Sequence, residues 1–147
     1  MKILTHSSRF LLGLIFVVFG LNGFLHFIPM PPPSGVAGQF IGALFVSKHL
    51  LVVSALQAIS GVLLLSNRFV PLGLTILGPI VVNILLYHVL MTPTGLGFSL
   101  FVAVLWAAVF FSVRSAFAGI FRVQVPIEAA STPQGTPLTA GTDYRTA

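Results

Sequence analysis

Six side chains in this sequence pair a chemistry-bearing type with a spacing that could gather them. Asn22 and His26 stand four residues apart, as do Asn83 and Tyr87; His88 follows at once, and Gln57 lies between the two groups. Residues i and i+4 share a helix face, so each pair would project from one side of its element. Carboxamides, imidazoles and a phenol hydrogen-bond the carbonyl or hydroxyl oxygens of a ligand, the chemistry that a quinone headgroup requires. The same amides can instead bond one another across helices, worth about 0.6 kcal/mol and at most ~2 per bond. That bland reading stands beside the ligand reading at every one of these positions. On a straight helix Asn83 and His88 point about 140° apart, at ~100° per residue, unless a widened turn near Pro79 brings them together. His6 and His49 are expected at the surface, Trp106 in packing, and Arg114 as a snorkelling anchor.

Other chemistries lack their residues. The chain has no cysteine, and its two acids, Glu128 and Asp143, fall in a terminal stretch rich in Pro, Thr, Gly and Ala. Its apolar runs therefore hold no carboxylate for a proton relay and no lysine for a Schiff base, and a hydrolase triad has no orienting acid. The glycines of GLNGF, within an apolar run, read as packing glycines and not as a phosphate loop. No catalytic residue and no metal set is assigned. A haem held by His26 and His88 is the weaker cofactor reading, behind quinone.

The elements that must position these groups are set by composition. Of 147 residues 56% are hydrophobic and 6% charged, with a mean hydropathy of +1.07, whereas soluble domains carry about 25% charged residues. The expectation is an all-α, integral membrane four-helix bundle over residues 1–122. Its spans lie at about 8–28, 50–66, 69–91 and 95–117, each close to the ~20 residues that cross a bilayer. A signal peptide is the lesser reading of the first run, which continues through GFLHFI without a small-residue cleavage site. PMPPPSG ends that run. Apolar pairs recurring every four residues then predict a short interfacial or re-entrant helix at 36–47, broken at Lys48-His49. The tail 123–147 has too little apolar surface to fold and is expected to be disordered. Ser54, Gln57 and Gly61 should share one face of the second span. Gly95, Ser99, Ala103 and Ala107 should form a close-packing stripe on the fourth.

Four spans put Lys2, Arg9, Arg68, Arg114 and Arg122 at one end and only Lys48 at the other. The positive-inside rule then sets both termini in the cytoplasm. Asn22, Gln57 and Asn83 fall roughly 10–14 Å below the opposite end at ~1.5 Å per residue. They would form an amide layer beneath a layer of His26 and His88, roofed by the 36–47 helix.

Three stretches, GLNGFLHFIPMPPP at 20–33, GVLLLSNRFVPLGL at 61–74 and PIVVNILLYH at 79–88, resemble in order and spacing the DoxX-like family of small bacterial membrane proteins. The likeness covers roughly residues 8–120. It implies a four-helix bundle in the bacterial inner membrane and an association with redox metabolism, because the family takes its name from a subunit of a thiosulfate:quinone oxidoreductase. Many family members carry an acid in the second span where this chain has Gln57, so the resemblance implies no acid-dependent activity here. The leading expectation is an accessory or assembly subunit of a redox or respiratory membrane complex without autonomous catalysis. The alternative is a quinone-binding oxidoreductase subunit with a pocket in the outer leaflet, and the third is a carrier for a small neutral solute. The expected partners are the lipid bilayer and subunits of such a complex, with homo-oligomers open and no nucleic acid.

Overall fold

The computed structural model describes residues 2–118, and the tail expected at 123–147 lies outside the described residues. Among the described residues the chain is helical throughout, with no strand. The helices are α1 (Lys2–Leu25), α2 (Gly35–Val46), α3 (His49–Leu65), α4 (Val70–Leu90) and α5 (Leu96–Ser112). Short 3₁₀ turns at Pro93–Gly95 and Arg114–Phe117 flank α5. Three helices are long and apolar enough to cross a membrane, or up to four if the bent pair α2 and α3 counts as one span. Three boundaries differ from expectation. α1 begins at Lys2, ahead of the apolar run, and stops at Leu25, short of residue 28. α5 stops at Ser112, where Val113 leaves the helical region at φ −113°, ψ 14°.

α1, α3, α4 and α5 close a ring in which each packs antiparallel on the next, and α5 returns to α1. The α1–α3 seam is the closest. A Cβ on Gly20 would lie 2.6 Å from the Ala58 backbone nitrogen, and one on Gly61 would lie 2.7 Å from the Gly13 carbonyl oxygen. The backbones touch there because the side chains are missing, as small-residue faces between apolar helices allow. Ser54 and Gly61 both meet α1. Gln57 does not share their seam: three residues beyond Ser54 it is turned about 60° aside, at ~100° per residue, and faces α4.

The dry core fills one half of the ring. Leu12, Phe16, Leu64, Leu74, Leu77 and Val109 are each almost wholly buried near the end that holds the α3–α4 turn. Phe117 folds back onto this cluster, its ring 4.9 Å from that of Phe110. On α5 the fully buried positions are Ser99, Val102, Leu105 and Val109. The Gly95/Ser99/Ala103/Ala107 stripe is only partly buried, because the branched residues beside it take the core-facing line. Trp106 packs as expected: it stacks on Phe110 at 5.1 Å and donates its indole N–H to the Leu74 carbonyl at 3.1 Å.

The other half is looser, and there the chain turns sharply. α1 ends at His26, whose φ is +51° and whose N–H bonds the Asn22 carbonyl at 2.9 Å, a left-handed helix stop of the kind glycine usually provides. The Pro-rich linker follows. α2 then meets α3 at an 84° bend, with Lys48 at φ 62° as its pivot. α4 runs unbroken through Pro79 with no widened turn.

Candidate functional site

The bend between α2 and α3 leaves a groove of about 430 Å³ bounded by α2, α3 and α4. α4 supplies Pro79, Ile80, Asn83, Ile84, Tyr87 and His88. These are adjacent pairs repeating every four residues, so together they make one broad helix face. Asn83 and His88 border that face from opposite sides, so both reach the groove without any distortion of α4. α3 contributes Gln57 at the deep end and His49 at the mouth, with Leu50 and Val53 between them. Phe40, Ile41 and Leu44 of α2 form the roof, and the Phe40 ring approaches that of Tyr87 at 6.0 Å.

His88 is the most firmly held polar group. Its Nδ1 lies 3.2 Å from the Thr92 carbonyl oxygen. A carbonyl can only accept, so Nδ1 carries the proton, and in the neutral ring Nε2 is left as an acceptor. The ring rests on Gly95, where an added Cβ would fall 2.2 Å from Cε1, and the edge of Tyr87 braces it at 5.1 Å. Gln57, Asn83 and the Tyr87 hydroxyl form no hydrogen bond with any other described residue. Asn83 and Pro79 are exposed along the side of α4, so the groove opens laterally.

Two of the six expected residues are elsewhere. Asn22 is buried, and its Oδ1 accepts the Ile28 N–H at 2.6 Å. Its carboxamide closes the end of α1 and does not reach the groove, so the amide layer of the sequence reading reduces to Gln57 and Asn83. His26 is exposed and also stands apart. The pairing of Asn22 with His26 assumed a helix that continues through both, and the left-handed turn at His26 ends it. His88 lines the groove and His26 does not, so the groove does not bring together the two histidines that the haem reading paired.

The converse omissions are His49, the α2 roof and Gly95. Lys48-His49 marked the helix break in the sequence, whereas the 84° bend that sets His49 at the mouth of the groove is seen only in the structure. Gly95 was legible as a close-packing residue of the fourth-span stripe, but its partner, the His88 ring at the end of α4, was not.

The groove can therefore offer amide and phenol donors with amide and imidazole acceptors around an apolar slot, which suits a flat ligand bearing carbonyl or hydroxyl oxygens. Compared with family models, with curated proteins and with solved structures, the chain matches none.

Proposed function

We propose that this chain is an integral protein of the bacterial inner membrane, an accessory subunit of a redox complex that holds a quinone headgroup between α2, α3 and α4. The carrying observation is that the side chains of Gln57, Asn83 and Tyr87 line one apolar groove without a hydrogen bond to any other described residue. Gln57 and Tyr87 are half-buried and Asn83 is exposed on the side of α4; against hydrocarbon, where no water supplies a partner, leaving such groups unbonded costs free energy. A ligand that bonds these groups removes that cost.

The oxygens of a quinone would accept from the amides and Tyr87, while His88 Nε2 would accept from a quinol hydroxyl. The lateral opening beside Asn83 admits a ligand from the bilayer, and the isoprenoid tail stays in lipid. The resemblance to DoxX-like proteins supports both the four-span frame and the redox setting. Lys2, Arg9, Arg68 and Arg114 at one end against Lys48 at the other support a groove in the outer leaflet and a cytoplasmic end of α5.

The test is mass spectrometry of gently extracted protein from quinone-rich membranes. Quinone should be retained by the wild type and lost from Asn83→Leu and Tyr87→Phe, both still folded. A wild-type protein that carries a stable partner chain but never a quinone would retire the ligand and leave the accessory role.

A further inference from the structure

At the opposite end of the bundle, a second cavity of about 320 Å³ lies between the start of α1, the α3–α4 turn and the end of α5. Thr5, His6, Arg9, Asn67 and Ser112 line it, together with three valines, Val70, Val109 and Val113. It shares no residue with the groove.

Arg9 is half-buried in its wall. One guanidinium nitrogen donates to the carbonyl of Leu64, in the last turn of α3. That contact holds the fork in place and uses one of its five N–H donors. No aspartate or glutamate occurs among the described residues, since both acids of the chain lie at Glu128 and Asp143. A partly desolvated cation in a cavity is stabilised by an anion with matching geometry, and guanidinium matches the oxygens of phosphate. Asn67 brings a further amide to the same rim, while the Ser112 hydroxyl is already donated to the Val109 carbonyl at 2.6 Å.

We infer that this cavity binds a phosphate group, of the kind carried by an anionic glycerophospholipid. The valine wall gives the glycerol and first acyl carbons an apolar surface, which a free phosphate ion does not need. The position also fits, because basic pockets between spanning helices on the cytoplasmic side accept anionic headgroups. This site is separate from the groove and does not depend on what the groove holds.

The experiment follows thermal unfolding of the full chain in neutral detergent. Its probes are short-chain phosphatidylglycerol, short-chain phosphatidylcholine and inorganic phosphate. Phosphatidylglycerol should raise the midpoint saturably by a few degrees, as a ligand of the native state does, and phosphatidylcholine should raise it much less. A matching rise with inorganic phosphate alone would assign the site to the free anion and overturn the lipid source. Arg9→Gln should abolish the rise, whereas Arg68→Gln, exposed and outside the cavity, should retain it. Because Arg9→Gln also removes the Leu64 contact, Val113→Phe provides a second route: it fills the cavity, keeps every charge, and should likewise abolish the rise. Equal shifts in wild type, Arg9→Gln and Val113→Phe would overturn the site, as would a wild type that does not respond to phosphatidylglycerol.

Discussion

Gly95 and His88 fit together so closely that a single carbon added to Gly95 would sit 2.2 Å from the imidazole Cε1 and 2.7 Å from Nδ1. The glycine is what allows the ring to reach the Thr92 carbonyl. Gly95→Ala should therefore swing His88 away from its bond while leaving the dry core untouched. Quinone retention should fall by about tenfold, equivalent to ~1.4 kcal/mol, with a small change in melting temperature. Unchanged retention, measured by mass spectrometry beside wild type, would mean that His88 does not contribute to the groove.

The α1–α3 seam makes a different demand on its glycines. Gly61→Ala places a carbon 2.7 Å from the Gly13 carbonyl and 2.8 Å from the Val17 nitrogen, so the two helices must separate. Overpacking of this kind costs typically 1–3 kcal/mol. Gly97→Ala, within α5 and facing open space, should instead be neutral or gain up to about 1 kcal/mol from helix propensity. Thermal melts that rank the two variants the other way would contradict the backbone contact.

How far these features were legible in sequence differs from element to element. α4 was plain at both ends because polar Asn67-Arg68 interrupts the apolar run before it and Pro93 cannot continue a helix after it. The helix at 36–47 followed from its four-residue repeat and from a length too great for one span when joined to α3. The rotation of α5 was hidden, since almost every residue on it is apolar and a uniformly apolar helix carries no moment to orient it. The groove was half legible. Depth arithmetic placed Gln57 and Asn83 at similar levels, but it could not register that the chain reverses at His26 and withdraws Asn22.

The orientation of α5 has its own consequence. Val102 is 3% exposed and Val104 is 65% exposed. Val102→Ala should lower stability by roughly 1–2.5 kcal/mol through lost burial and the cavity left behind, whereas Val104→Ala should stay within about 0.5 kcal/mol of wild type. Equal losses in detergent would rotate α5 back toward the small-residue stripe.

The three amides provide the last test, because the structure assigns them two different roles. Asn22 accepts the Ile28 N–H within the α1 terminator, so Asn22→Leu strands a half-buried donor and should cost about 1–3 kcal/mol of stability. Quinone retention should persist, since Asn22 is not in the groove wall. The Gln57 and Asn83 side chains have no partner to strand among the described residues, so their leucine variants should be stable, or more stable, and should lose the ligand. If both contact one headgroup, the double variant Gln57→Leu/Asn83→Leu should lose less affinity than the sum of the single losses, because the second change removes a contact already broken. Asn22→Leu and Asn83→Leu should add in stability to within about 0.5 kcal/mol, as independent sites do. Coupling between Asn22 and Asn83 beyond that limit would restore the single amide layer and overturn the division between helix stop and groove.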